Sequence, residues 1–159
     1  MDTSISKTVA RSQFDRVWNR GEDSAIEEFY TAGAVLHDPM IPVALEGRAA
    51  IRTLVQAYRL AFPNLAFTVE DQIAESDRVV TRWTARGTHL RALLGIPATG
   101  RQVEVAGASI ARLEGGRIAE TWVHWDRAAL FTQLGVVRDP AEHSALASDA
   151  PAAAGHAAT

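Results

Sequence analysis

The sequence is most informative at first for what it lacks. It contains no cysteine in 159 residues, which excludes disulfides, a thiol nucleophile and a cysteine-ligated metal within this chain. No apolar stretch approaches the roughly 20 residues that a membrane-spanning helix needs, so we expect no membrane partner. The formal net charge is −3 and the basic residues are spread along the chain, which argues against nucleic acid as a partner.

What is present is ordinary for a soluble globular domain, with 47% hydrophobic and 22% charged residues. The length suits one core better than two. We therefore predict a single domain over residues 1–137, followed by a flexible, alanine-rich tail over residues 138–159. The first residues contain no apolar, signal-like segment, so a cytoplasmic location is the default expectation.

The first part of the sequence has helical periodicity. Apolar residues recur at helical spacing from about residue 5 to residue 19, and Gly21 ends the pattern. A short second helix is expected to begin at Asp23. The clearest helix follows Gly47 and stops at Pro63.

After Pro63 the pattern changes from helical to alternating, which indicates strands. Four long strands are expected, followed by a short closing helix over residues 127–134. Helices first and strands later are typical of an α+β domain. We predict a curved, mostly antiparallel sheet that forms a cone-shaped barrel around an internal cavity, covered by the N-terminal helices.

One predicted hairpin carries the strongest functional signal. Gly115-Gly116 lies between two extended segments and suits a two-residue turn, which needs positive φ at both positions. Side chains alternate along the strand that follows, so one face would carry an acid, two aromatic or heteroaromatic rings and a second acid. These residues are Glu120, Trp122, His124 and Asp126. We interpret this face as the wall of a pocket.

The turn also predicts a register for the hairpin. Without a bulge, Ser109 lies opposite Trp122 and Gly107 lies opposite His124. Small residues facing large rings would leave room for a ligand. Tyr58 and Trp83 are expected to be core or wall residues, and the remaining candidates for the wall are Phe62 and Trp18.

Structural roles remain open for the polar candidates. Asp126 precedes a predicted helix and could serve only as its N-cap. His37, His89 and His124 could each be structural histidines when taken singly. Together with Asp126 they could suggest a metal site, but their spacing contains no metal-binding motif, so we predict none.

Four segments resemble the SnoaL-like polyketide cyclases, which share a cone-shaped α+β fold with ketosteroid isomerase and limonene epoxide hydrolase. The match covers roughly residues 5–137. The segments are Leu36-His37-Asp38-Pro39; Gly47-Arg48-Ala49-Ala50-Ile51 with Ala61-Phe62-Pro63-Asn64-Leu65; Gly87-Thr88-His89 with Gly95-Ile96-Pro97-Ala98-Thr99-Gly100-Arg101; and Gly116-Arg117-Ile118-Ala119-Glu120-Thr121-Trp122 with Asp126 and Gln133-Leu134-Gly135.

The resemblance implies an intramolecular aldol closure of a polyketide-like ester with Asp126 as general base. It implies no cofactor, because the conjugated carbonyls of the substrate delocalise the enolate. His37, His89 or His124 would then donate hydrogen bonds to the enolate oxygen, and the aromatic walls would hold a hydrophobic small molecule. A homodimer is also expected from the resemblance.

Two alternatives remain open. The first is opening of an epoxide by an Asp-Arg-Asp group, which requires Asp71 and Arg82 to meet Asp126 in one cavity. These two would be cross-strand neighbours if Ser76-Asp77 is a two-residue turn. The second is a dimer that binds a small molecule without catalysis, in which Asp126 only caps its helix.

Overall fold

A sheet of six strands in the order β2-β1-β6-β5-β4-β3 organises the fold. The computed structural model describes residues 2–137, and the predicted tail at residues 138–159 lies outside the described residues. The strands are β1 (Tyr30–His37), β2 (Leu45–Glu46), β3 (Ala66–Glu75), β4 (Arg78–Thr88), β5 (Gln102–Glu114) and β6 (Arg117–Trp125).

The α+β class and the curved, mostly antiparallel sheet are confirmed. β1 and β6 pair in parallel, whereas the other neighbouring strands pair antiparallel. The sheet is open, with β2 and β3 at its edges, and does not close into a barrel. Bulges between Tyr30 and Val35 in β1, and between Val69 and Asp71 in β3, interrupt the ladders. Because a bulge bends its strand and increases the local twist, these irregularities help to curve the sheet.

The expected helices are present, and one of them changes its type. The helices are α1 (Thr3–Gln13), α2 (Ala25–Phe29), α3 (Arg48–Ala61) and α4 (Arg127–Leu134). α1 continues directly into a π-helical segment, Phe14–Asn19, where the N–H of Arg20 bonds the carbonyl of Asp15. This segment buries Phe14 and Trp18 against the sheet. No helix in the described range is long and apolar enough to cross a membrane.

α3 agrees with the pattern that predicted it. Its apolar stripe, including Ile51, Leu54 and Val55, is buried in the core. The helix ends at Ala61 with Phe62 as its C-cap, immediately before Pro63, which cannot donate the next hydrogen bond. The stripe therefore faces the sheet and leaves the polar side of the helix to solvent.

The first predicted hairpin is confirmed. Ser76-Asp77 is the turn between β3 and β4, and Asp71 pairs with Arg82 as expected. The two side chains form an ion pair of 2.8 Å between Arg82 Nη2 and Asp71 Oδ2, and each is 59% exposed. They lie on the outer face of the sheet.

The second hairpin is confirmed at its turn and wrong in its register. Gly115 and Gly116 both have positive φ, and Glu114 pairs with Arg117. A bulge at Ala119 then shifts the pairing by one residue. Ser109 therefore lies opposite Val123 instead of Trp122, and Gly107 lies opposite Trp125 instead of His124.

Candidate functional site

A cavity of about 90 Å³ lies between the inner face of the sheet and the helices. Its walls are predominantly aromatic and aliphatic, which is typical of small-molecule sites. Polar side chains are few. The polar lining consists of Gln13, Tyr30, Asp38, Tyr58, Arg86, Ser109 and Thr121, and the aromatic lining of Phe14, Trp18, Phe62, Phe67, Trp83 and Trp125.

Asp38 is the one carboxylate that lines this cavity among residues 2–137. It follows β1 directly and has the same strand parity as Leu36, a buried residue that also lines the cavity. The residue is only 8% exposed. Its Oδ1 accepts hydrogen bonds from the backbone N–H of Met40 at 2.8 Å and from the hydroxyl of Tyr58 at 3.2 Å.

A tight turn holds the carboxylate in place. The N–H of Ile41 bonds the carbonyl of Asp38, and the guanidinium of Arg127 donates to the carbonyl of Pro39 at 2.8 Å. Pro39 also has a fixed φ, which reduces the freedom of the turn. The position of Asp38 is therefore fixed by β1, which precedes it, and by Arg127, the first residue of α4.

Burial raises the pKa of the Asp38 carboxyl above its ordinary value, because the charged form loses solvation in the apolar cavity. Hydrogen bonds from Met40, Tyr58 and the Trp125 indole act in the opposite direction and are smaller. The pKa of the Tyr58 hydroxyl is also raised, by burial and by the negative charge of Asp38. Tyr58 is therefore a neutral donor to this carboxylate at physiological pH.

Five of the predicted wall residues do line the cavity. Ser109 is fixed within it because its Oγ accepts a hydrogen bond of 2.9 Å from the Trp83 indole N–H. The cavity wall therefore combines rigid rings with a few hydroxyl groups. The residues placed as expected are Trp18, Tyr58, Phe62, Trp83 and Ser109.

The predicted face of β6 is wrong. Thr121, Val123 and Trp125 line the cavity, whereas Trp122 and His124 point to the outer face. Side chains alternate between the two faces of a strand, and the face of β6 that does not carry Trp122 and His124 is the more apolar one and packs inward.

On the outer face, Trp122 stacks on His37, with ring centroids 5.6 Å apart and planes 4° apart. His37 Nε2 lies 3.0 Å from Glu120 Oε1. His37 is therefore part of an outer stack and does not reach the cavity.

Asp126 caps α4. Its side chain accepts a hydrogen bond of 2.8 Å from the N–H of Ala129, which is the N-cap interaction left open by the sequence. The residue is exposed and is not among those that line the cavity. Its predicted placement in the pocket is wrong, and the cap accounts for an acid at this position.

His89 and Gly107 lie close to the cavity without lining it. His89 is fully buried, its ring centroid is 5.2 Å from that of Phe62, and its Nδ1 is 3.0 Å from Thr99 Oγ1. Burial lowers the pKa of this imidazole, which favours the neutral form. A Cβ on Gly107 would lie 2.5 Å from two atoms of the Trp83 ring, so the glycine makes room for that ring.

The grouping that epoxide opening requires is absent from the described residues. Asp71 and Arg82 form their ion pair on the outer face, and neither lines the cavity. Asp126 is also outside it. The Asp71-Arg82-Asp126 hypothesis is therefore wrong. Asp71 is two positions before Ile73, which is 70% exposed, so both side chains lie on the outer face of β3.

Comparison with known families agrees with this architecture. The family model described as SnoaL-like polyketide cyclase matches residues 8–134. The chain belongs to the SnoaL-like family. A comparison with curated proteins found no match.

Several solved structures superpose well on this chain. TsrD from Streptomyces laurentii is 25% identical with a TM-score of 0.77, and the match covers 86% of this chain and 99% of TsrD. A candidate polyketide cyclase from Acidithiobacillus ferrooxidans is 29% identical with a TM-score of 0.75, over 86% and 98% of the chains. AclR, a candidate hydroxylase from Streptomyces galilaeus, is 26% identical with a TM-score of 0.76, over 92% of each.

Sequence reasoning on this SnoaL-like chain missed Asp38 as a site residue. The signal was available, because Leu36 is the apolar member of Leu36-His37-Asp38 and should face the core. Strand parity then places Asp38 inward and His37 outward. Among residues 2–137, no cluster of three or more His, Cys, Asp or Glu is arranged to hold a metal ion.

Proposed function

We propose that this protein is a cofactor-independent cyclase in which Asp38 is the general acid and base. The substrate class is a small, hydrophobic carbonyl compound that closes a ring by an intramolecular aldol reaction. Membership of the polyketide cyclase family supports the reaction type. The observation that carries the choice of residue is the position of Asp38 as the one cavity carboxylate in the described range.

The chemistry follows from the environment of that carboxylate. Asp38 takes a proton from a carbon between two carbonyls, and the electron pair of the C–H bond moves into an enolate. The enolate carbon attacks a second carbonyl of the same molecule, forming a carbon–carbon bond and an alkoxide. Asp38 then returns its proton to the alkoxide, so the carboxylate is regenerated and no other reactant is needed.

A raised pKa suits Asp38 for this role. A general base works best when its pKa is close to the operating pH, and burial moves the carboxyl in that direction. Tyr58 remains protonated and can keep its hydrogen bond on Oδ1. Oδ2 is then the oxygen that we assign to the substrate proton.

The size of the cavity limits the substrate. A volume of about 90 Å³ is below the roughly 300–1,000 Å³ of typical sites for drug-sized ligands. A planar substrate of several rings would therefore require side chains of the wall to move. A compact substrate with a single ring fits this cavity better.

A proton-exchange experiment tests the proposal without knowledge of the natural substrate. The probe is methyl 2-oxocyclohexanecarboxylate in D₂O, whose proton between the two carbonyls is followed by NMR. We expect the wild type to accelerate exchange and Asp38→Asn to remove most of that acceleration, by about 10²- to 10⁴-fold. Asp126→Asn is the matched control, because asparagine is an equally good N-cap.

The outcomes are distinct. Loss of exchange in Asp126→Asn with full activity in Asp38→Asn would restore Asp126 as the base and contradict the proposal. Full activity in both variants would contradict Asp38 as the base, because a different group would then catalyse the exchange. Absence of acceleration by the wild type would also contradict the proposal, and would favour the alternative of a small-molecule-binding protein without catalysis.

We also propose that a second copy of this chain covers the outer face of the sheet. Paired positions place Ile73, Val80, Ile110 and Trp122 in one row across β3, β4, β5 and β6. Ile73 is 70% exposed. Acidic and basic side chains, including Asp71 and Arg82, flank this row, so a two-fold arrangement could pair opposite charges.

Sedimentation at micromolar concentration tests this homodimer. We expect a dimer for the wild type and a monomer for Ile73→Lys, since a buried unpaired charge disrupts an apolar contact. A wild type that remains monomeric would overturn the proposal. The cytoplasmic location inferred from the sequence stays a prediction.

A further inference from the structure

Thr121 has a buried hydroxyl without a protein partner. The residue is 8% exposed and lines the cavity from β6. No group in residues 2–137 forms a hydrogen bond with its Oγ1. Buried polar side chains are usually hydrogen-bonded, so an orphan hydroxyl on a cavity wall calls for an explanation.

Ser109 provides a second hydroxyl on the same wall. Its Oγ accepts the hydrogen bond from the Trp83 indole, and the hydroxyl proton is then free to be donated elsewhere. Ser109 pairs with Val123, and Thr121 pairs with Ala111, so the two hydroxyls occupy diagonal positions on adjacent strands. Such diagonal positions are about 7–8 Å apart or somewhat less, close enough for one small ligand to reach both.

Other polar groups of the lining already have partners. The Tyr30 hydroxyl donates to Gln13 Oε1 at 2.9 Å, and Gln13 Nε2 donates to the carbonyl of Ala10. Arg86 is the one basic residue of the lining, and its guanidinium binds Glu104 at 2.7 Å. No uncommitted cation in this lining is therefore available to a negatively charged ligand.

We propose that the Thr121 and Ser109 hydroxyls form a subsite that binds the carbonyl oxygen of an uncharged substrate. The inference rests on the proposed function in its assignment of that oxygen to the reacting carbonyl. Thr121 pairs with Leu36 on β1, two residues before Asp38, which places the hydroxyl and the carboxylate on adjacent strands of the same wall. Asp38 would remove the proton while the hydroxyls stabilise the oxygen of the enolate.

The subsite predicts selectivity between ligands of equal shape. A ketone oxygen can accept from the hydroxyls, whereas an exocyclic methylene group of the same size cannot. A carboxylate would lose its hydration without gaining a cation, and Asp38 would repel it when ionised. The cavity should therefore prefer a neutral ketone over both a hydrocarbon and an acid.

Binding of three probes tests the subsite independently of turnover. The probes are cyclohexanone, methylenecyclohexane and cyclohexanecarboxylate, and the fluorescence of the tryptophans in the wall reports binding. The C=O stretch of bound ¹³C-carbonyl cyclohexanone, measured by difference infrared spectroscopy, reports the hydrogen bond. For the wild type we expect tighter binding of the ketone than of the other two probes, and a C=O stretch at lower frequency than in an apolar solvent.

Thr121→Val is the decisive variant. It should fold as well as the wild type, because it replaces an unpartnered hydroxyl by a methyl group of similar shape. We expect the ratio of ketone to methylene affinity to fall by about 2- to 10-fold, and the C=O stretch to move back towards its apolar value. Thr121→Ser keeps the hydroxyl and should keep both properties.

Thr68→Val makes the same change at an exposed position of β3 and serves as the control. An unchanged affinity ratio and C=O stretch in Thr121→Val would overturn the subsite, as would equal or tighter binding of the carboxylate. Failure of both neutral probes to bind the wild type would also overturn it. Asp38→Asn separates this inference from the proposed function, because it should lose proton exchange and keep the ketone preference.

Discussion

Asp38 and Asp126 are two aspartates in similar places with different surroundings. Each is the first residue after its strand, and the strands β1 and β6 are parallel neighbours. His37 pairs with Trp122, so β6 continues for three residues beyond the end of β1. Asp126 therefore lies about 10 Å further along the sheet, at a rise of about 3.3 Å per residue.

This difference in position along the sheet decides the surroundings of each carboxylate. Asp38 ends inside the cavity, bonded by Met40 and Tyr58, and burial raises its pKa. Asp126 ends in solvent, bonded by the first turn of α4. An acid placed after a strand is therefore a candidate for chemistry only where the neighbouring strand and helices still cover it.

The largest expected effect is on stability and concerns Gly107, which packs against Trp125, a neighbour of both acids. A Cβ at Gly107 would lie 2.5 Å from the Trp83 ring and 2.8 Å from the Cβ of Trp125. Gly107→Ala should therefore lower the free energy of unfolding by about 1–3 kcal/mol through overpacking. Urea denaturation measures the change.

Gly33→Ala is the matched control for this variant. Gly33 is also in a strand, and a Cβ there would meet no atom within 4 Å. Its expected effect lies within about 0.5 kcal/mol. Equal stability of the two variants would show that the cavity wall beside Asp38 can relax to accommodate the added methyl group.

The next effect sharpens the difference between the acids. Tyr58→Phe removes one donor from Asp38 and should cost about 1–2 kcal/mol of stability. Because that hydrogen bond lowers the pKa of Asp38, its loss should raise the pKa further. NMR titration of the labelled Asp38 carboxyl carbon measures the shift.

Tyr30→Phe provides the comparison for Tyr58→Phe. It removes a buried hydroxyl that donates to Gln13 and not to Asp38. A similar loss of stability is expected without a change in the Asp38 titration. A shift of equal size in both variants would contradict a direct interaction between Tyr58 and Asp38.

The two acids also show how far the sequence can predict this site. Patterns of period 3.6 and 2 predicted the helices, four long strands and both hairpin turns, because these depend on local residues. The pairing of β1 with β6 depends on residues about 85 positions apart, for which a single sequence carries no local signal. The place of Asp38 beside β6 could therefore not be predicted from spacing.

The wrong face of β6 has a specific cause. The turn at Gly115-Gly116 set the register correctly for two pairs, and the bulge at Ala119 then changed it. Ile118 and Ala119 are both buried, so the local pattern gives no sign of which residue is the extra one. The prediction also assumed that the face with aromatic and imidazole rings lines the pocket, and it therefore placed Trp122 and His124 inward.

A smaller effect is expected at Asp126. Asp126→Ala removes the bond to the Ala129 N–H and should cost about 1 kcal/mol, whereas Asp126→Asn should be nearly neutral. Thermal denaturation measures both. Neither variant should change the titration of Asp38, and a change would show that the two acids are coupled.

The smallest expected effect is a gain in stability at neutral pH, and it concerns the ionisation of Asp38. The pKa of Asp38 is higher in the folded than in the unfolded chain, so the folded state binds more protons between these two values. Stability contributed by this group is therefore lost as pH rises from the unfolded pKa, about 3.9, through the raised folded value.

Asp38→Asn should remove that loss, because an amide does not ionise and its oxygen can still accept from Met40 and Tyr58. The variant should equal the wild type below the unfolded pKa of Asp38 and exceed its stability at neutral pH, as measured by denaturant midpoints at constant m. A variant less stable than the wild type at neutral pH would mean that the folded protein favours the ionised carboxylate. Asp38 would then be a structural acid like Asp126, and the contrast between them would disappear.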